Sequence, residues 1–166
     1  DITWEWNVSS GSFGTSTAST VINNLGYVTN PNKKKDALIT ETYDMSTMQY
    51  PEIRFDVAYA RYSTNRSDSL NLYYSFDCGS NWIKLWGASG AQLATAPDQT
   101  TAFDPLPSQW KTVSVPAVAL NSQSKVSFKF ENVTGWGNKL YLDNINIVNN
   151  PALTVVDVHK VEVKIF

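Results

Sequence analysis

Apolar and polar residues alternate with a period of two along most of this chain, and no long segment repeats at the three-to-four spacing of a helix. Residues 2–8 (I-T-W-E-W-N-V) alternate cleanly and put Trp4 and Trp6 on one strand face. Residues 37–43 and 52–62 read as strands; in the second, Ile53, Phe55, Val57 and Tyr59 share a face. Further strand segments are expected at 69–74, 82–86, 110–115, 125–131 and 139–148, with Val126, Phe128 and Phe130 alternating against Ser127 and Lys129. Residues 11–20 are small and polar, more loop than strand, and 87–108 read as a long loop rich in Ala, Gly, Thr and Pro. Loops of that length are usually functional or mobile. Many short strands between turn signals predict an all-β fold, a two-sheet antiparallel β-sandwich with jelly-roll topology. Asn149-Asn150-Pro151 is a boundary signal. It divides a sandwich domain over 1–150 from a β-prone tail over 151–166, read as a linker or edge strand leading to a further module.

The sharpest local signal is at residues 75–82, S-F-D-C-G-S-N-W, which fits the Asp-box pattern S-x-D-x-G-x-x-W. Asp77 can accept hydrogen bonds from backbone N–H groups of a tight turn. Gly79 supplies the positive φ such a turn needs. Ser75 can add a side-chain bond to the same turn, and Trp82 brings a large apolar face beneath the hairpin. With strand chemistry on both sides, the motif is expected to close a β-hairpin as a folding staple with no ligand. Propeller enzymes carry several such boxes, and this chain has one.

Composition narrows the function classes. The 166 residues are 42% hydrophobic and 13% aromatic, enough for one substantial core, yet only 17% are charged. The net charge of −2 argues against nucleic acid as a partner, and the Lys33-Lys34-Lys35 run reads as a solvated loop. Cys78 is the single cysteine, so no intrachain disulfide can form. No apolar stretch approaches the ~20 residues of a membrane span. The chain opens at Asp1 and reads as a piece of something longer.

Reactive machinery is sparse. His159, the one histidine, sits in the tail beside Lys160, so a nucleophilic triad or a histidine zinc site would have to be built there. Two acids flanking a cleft would suffice for glycoside hydrolysis, and Glu5, Asp36, Glu41, Asp56, Glu131 and Asp143 are candidates, although no spacing marks a cleft. Calcium matches better, because a hard cation asks for several carboxylate, amide and carbonyl oxygens. Asp36 precedes a strand, Asp56 lies opposite Phe55 and Val57, Asp143 follows the apolar Leu142, and Asn24 can add an amide oxygen. The alternative is that Asp56 and Asp143 bond to backbone N–H groups or lie at exposed strand ends. Trp86 and Trp136, near expected loops, are the candidates for stacking on sugar rings.

Several phrases together resemble a known module: F-D-V-A-Y-A-R-Y at 55–62, D-S-L-N-L-Y-Y-S-F-D-C-G-S-N-W at 68–82, L-A-T-A at 93–96, Q-W-K-T at 109–112 and G-W-G-N-K-L-Y-L-D-N-I-N-I at 135–147. With K-D-A-L-I-T at 35–40, they resemble the MAM-like, cleaved-adhesin-type jelly-roll domains that accompany secreted bacterial peptidases. The resemblance implies a non-catalytic, calcium-stabilised accessory domain of a larger secreted or cell-surface protein, with a peptidase as the expected parent. Asp36 and Asp143 match family acids at the metal-bearing end of the sandwich, and Asn24 and Asp56 match it less fully. Residues 161–166 (V-E-V-K-I-F) are similar to the lead-in to type IX secretion sorting domains, without the Pro-Asn-Pro that continues them. Expected partners are an extracellular protein or polysaccharide and the parent's other domains. The competing reading is a carbohydrate-binding module with an aromatic platform.

Overall fold

A computed structural model describes residues 2–31 and 33–154. Nine strands form two antiparallel sheets: β1 (Glu5–Asn7), β2 (Ser19–Asn23), β3 (Lys35–Tyr43), β4 (Pro51–Tyr59), β5 (Ser69–Ser75), β6 (Ile83–Ser89), β7 (Lys111–Pro116), β8 (Val126–Val133) and β9 (Lys139–Asn149). The five-stranded sheet runs β1-β2-β9-β4-β7 and the four-stranded sheet β3-β8-β5-β6, the jelly-roll sandwich that the alternation predicts. No described helix is long and apolar enough to cross a membrane. The β-prone tail and His159 lie outside the described residues.

The core follows from the period-two pattern. Ile53, Phe55, Val57 and Tyr59 on β4 are at most 1% exposed and face Leu70, Leu72, Phe128 and Phe130 of the other sheet. Phe55 meets the Phe130 ring edge-on, with centroids 5.1 Å apart, a favoured aromatic geometry. Each such side chain taken out of water contributes about 1.5–3 kcal/mol.

Two expectations about loops are corrected. Strand β2 begins inside the stretch read as loop: Ser19 and Thr20 carry little apolar signal, but pairing with β1 and β9 satisfies their backbone, and Ile22 enters the core. The stretch 87–108 is not a free loop. Gly87–Ser89 complete β6, Gly90–Leu93 form the single helical turn α1, and the remainder is bonded down over the outer face of the five-stranded sheet. Thr95 N–H donates to the Tyr59 carbonyl at 2.8 Å and Gln99 N–H to that of Arg61 at 2.8 Å. Beneath this segment Phe103, Trp110 and Tyr141 join Ala58 and Ala60 in a second, smaller core.

Candidate functional site

Two outer faces flank the sandwich, and the described residues cover only one of them. On the five-stranded sheet the covering segment is held by Asn138, whose amide donates to the Gln99 and Thr101 carbonyls at 2.8 Å while its oxygen accepts from Phe103 N–H at 3.0 Å. The Tyr141 hydroxyl reaches the Phe103 carbonyl at 2.8 Å.

Asn138 ends the loop T-G-W-G-N at 134–138, which is wrapped around the buried carboxylate of Asp68. One Asp68 oxygen accepts from Gly135 N–H (2.8 Å) and Gly137 N–H (3.1 Å), and the other from Asn138 N–H (3.0 Å). Both glycines are required by close approach. A Cβ on Gly135 would lie 1.9 Å from the Ser67 carbonyl oxygen, and one on Gly137 would lie 2.2 Å from the Asp68 carboxylate. Burial pushes the Asp68 carboxyl up, against the pull of these N–H groups. Nothing around Asp68 in the sequence marks this role; the G-x-G spacing at 135–137 is the one available hint of a backbone nest.

The loop fixes Trp136, one of the two tryptophans expected to bind sugar. Its indole N–H donates to the Tyr27 carbonyl at 2.8 Å, and its ring stacks on the Arg66 guanidinium, which is itself sandwiched against Tyr62. Trp136 stays partly exposed and lines a shallow cavity of about 320 Å³ with Asn30, Asn65 and Arg66. Trp86 goes elsewhere: it packs edge-on to Phe55, with centroids 5.4 Å apart, against the main core. It alternates inward with Leu72, its register partner on β5, so the sugar-stacking expectation is corrected for this residue. The two tryptophans do not form one platform. Trp4 and Trp6 also separate, Trp4 against the core and Trp6 70% exposed, because Trp4 precedes β1 and is not held to its pleat.

The four residues expected at calcium fall into two separate pairs. Asp56 and Asp143 are register partners across β4 and β9. Donors meet each of their oxygens: Thr112 hydroxyl (2.6 Å) and Asn144 amide (2.9 Å) for Asp56, Ser12 N–H (2.9 Å) and Asn144 N–H (2.8 Å) for Asp143. Asp143 thus accepts from backbone N–H groups and Asp56 from side chains. Asn24 and Asp36 instead meet around Asn132. The Asn24 and Asn132 amides exchange two hydrogen bonds, and Asp36 is the register partner of Asn132. No three described His, Cys, Asp or Glu residues gather in a metal-binding group.

Residues 75–82 form the expected turn. The Ser75 hydroxyl and Asp77 carboxylate bond at 2.7 Å, Asp77 accepts from Asn81 N–H at 2.8 Å, and Gly79 takes a φ of 87°. The Asn81 side-chain amide, donating to Asp77 at 2.6 Å, together with the Asn81 N–H and the Ser75 hydroxyl holds the Asp77 carboxyl down at about 2. Cys78 also adopts a positive φ, 56°, at the tip. Trp82 packs on Gly79 and turns toward the exposed face of the four-stranded sheet, where Lys129 Nζ sits 5.0 Å from its ring and 4.5 Å from that of Tyr73.

That face is open, and the register lays out its rows. Ile39, Lys129 and Tyr73 neighbour one another across β3, β8 and β5, and the next row reads Ala37, Glu131, Asn71 and Gly87. Glu131 is tied to Lys35 at 3.4 Å, Lys129 at 3.6 Å and the Tyr73 hydroxyl at 3.3 Å, so it is a structural member of the face. Beside it a groove of about 310 Å³ is lined by Asn71, Lys84, Gly87, Lys33 and Gly135.

No protein-family model matches the chain, and no curated protein sequence matches it. Solved structures do. A cleaved adhesin domain of Lys-gingipain from Porphyromonas gingivalis superposes with a TM-score of 0.59 at 18% identity over 90% of this chain and 85% of that one. A family 27 carbohydrate-binding module from Caldicellulosiruptor saccharolyticus, solved with mannohexaose, gives 0.53 at 9% identity over 90% and 82%. A family 30 carbohydrate-binding module of a cellulosomal cellulase from Clostridium thermocellum gives 0.52 at 11% over 90% and 83%. The jelly-roll sandwich of this chain is therefore the architecture of adhesin and carbohydrate-binding domains.

Proposed function

We propose that this chain is a non-catalytic binding domain of a larger secreted or cell-surface protein, and that it holds a polysaccharide on the exposed face of its four-stranded sheet. The observation that carries this is the contrast between the faces: one is sealed by its own chain, and the other displays Tyr73, Trp82, Lys129, Asn71 and Lys84 to solvent-facing space. Sugar rings stack on aromatic faces while amides and ammonium groups meet their hydroxyls. The similarity in fold to a module solved with mannohexaose supports the same reading. Affinity electrophoresis through a panel of soluble polysaccharides tests it. Retardation by at least one polymer, abolished by Tyr73→Ala at unchanged melting temperature, is the expected result; migration unaffected by every polymer overturns it.

A protein ligand, the adhesion reading, draws on the similarity to the cleaved adhesin domain and on the same open face. A peptidase parent belongs with that reading. A structural calcium would have to use Asp36, the one carboxylate of the expected set with no hydrogen-bond partner, beside the Asn24–Asn132 pair. Equal melting temperatures in EDTA and in added calcium remove it.

A further inference from the structure

We infer that the groove at Lys33, Asn71, Lys84 and Gly87 is a subsite for a negatively charged sugar unit, so that the ligand is an acidic polysaccharide. This rests on the sheet-face reading above and names its ligand class. Eight polar side chains line the groove; Thr134 is bonded to Asp68, and the other seven, Lys33, Asn71, Lys84 and Gln92 with Ser67, Ser69 and Ser89, make no side-chain hydrogen bond or ion pair among the described residues. Four other cations are engaged: Lys35 and Lys129 hold Glu131, Lys139 holds Asp104, and Arg61 holds Asp98. Two ammonium groups with amide and hydroxyl donors between them present positive charge that no described acid compensates.

No acid lines the groove. Asp68 lies behind Gly135 with its oxygens accepting from the N–H groups of the 134–138 loop, and Glu131, beside Asn71 in the register, is paired to two lysines. The floor is shaped as well as charged. A Cβ at Gly87 would sit 2.5 Å from Asn71 Oδ1 and 2.7 Å from Lys84 Nζ, so only a glycine lets the amide and the ammonium group lie this close over the β6 backbone. A carboxylate or sulfate on a pyranose ring suits the groove beside them: the ammonium groups take the charge, the amide takes a neighbouring hydroxyl, and Val133 offers an apolar rest for the ring. Nucleic acid is disfavoured, since two lysines on a chain of net charge −2 make no phosphate-tracking stripe.

Affinity electrophoresis of the 166-residue chain through polygalacturonate, dextran sulfate, neutral galactomannan and polyglutamate is the test. Retardation by a uronate or sulfate polymer is expected, with the two arms telling carboxylate from sulfate. Lys84→Ala and Lys33→Ala should each weaken it about ten-fold, as for loss of a hydrogen bond to a charged group, and Lys84→Arg should largely restore it. Gly87→Val adds volume without removing charge and should abolish retardation at unchanged melting temperature, which separates a shaped subsite from general surface attraction. Binding should also fall as salt rises toward 1 M, where screening reaches about 3 Å. Retardation by galactomannan alone, indifferent to the lysine variants, overturns the anionic subsite and leaves the sheet-face reading standing. No retardation by any polysaccharide overturns both. Equal, lysine-dependent retardation by polyglutamate, or indifference to Gly87→Val, overturns the inference.

Discussion

The two outer faces of the sandwich are built from the same strand chemistry and end in opposite states. On the five-stranded sheet Ala58 and Ala60 are small enough to let Phe103 and Trp110 approach, and Asn138 and Tyr141 satisfy the polar groups of the segment that covers them. On the four-stranded sheet the outward positions include Lys129, Glu131, Asn71, Tyr73 and Lys84, polar groups costly to cover, beside the exposed Ile39. Among the described residues the longest irregular segment seals one face and leaves the other uncovered.

The comparison can be broken most sharply at the sealed face. Phe103→Ala should destabilise by about 3–5 kcal/mol, as for a large buried aromatic, measured by urea unfolding. Loss below 1 kcal/mol would show the cover to be loosely held. Next in size, Asp68→Ala should cost roughly 3 kcal/mol, since three backbone N–H groups lose their buried acceptor; the amide signals of Gly135, Gly137 and Asn138 should lose their protection from hydrogen exchange. Trp86→Ala sharpens the inside–outside distinction. It should cost about 3 kcal/mol as a core truncation and leave polysaccharide affinity of the folded fraction unchanged, whereas Tyr73→Ala should move stability by less than about 0.5 kcal/mol and abolish retardation. If the two variants behave alike, the faces are misassigned.

The smallest effect is at the Asp77 turn and depends on pH. Its folded carboxyl is held at about 2, below the ordinary carboxylate value of 3.8, so the native state binds its proton less readily than the unfolded chain does. Its contribution is therefore complete above about pH 4 and is lost as pH falls through about 2. The melting-temperature gap between the natural chain and Asp77→Ala should accordingly close between those values. A gap that persists undiminished at pH 2 would mean that Asp77 holds the turn equally well when protonated.

Much of the sandwich was legible from alternation. Ile53, Phe55, Val57 and Tyr59 could be placed inward because a strand's side chains alternate strictly, and the Ser75, Asp77, Gly79 turn could be named because its bonds are local. The candidate site was less legible. Trp86 and Trp136 were indistinguishable as tryptophans near loops, and only the register shows the first entering the core and the second stacking on Arg66. Lys33 read as part of a solvated run and Lys84 drew no attention, because an unpaired lysine has no signature until its neighbours are known.

Sequence alone determined what each residue can satisfy locally: which positions alternate, where a turn needs a glycine, and which strands can exist. Tertiary structure decided which distant groups meet, since Asp68 and Gly135, Asn24 and Asn132, and Asn71 and Gly87 are joined only by folding. Local propensity acts over a few bonds, whereas pairing across sheets depends on register and on which polar groups remain unsatisfied when the core closes. The cationic groove is such a remainder, visible only once the partners of Lys35, Lys129 and Lys139 are known.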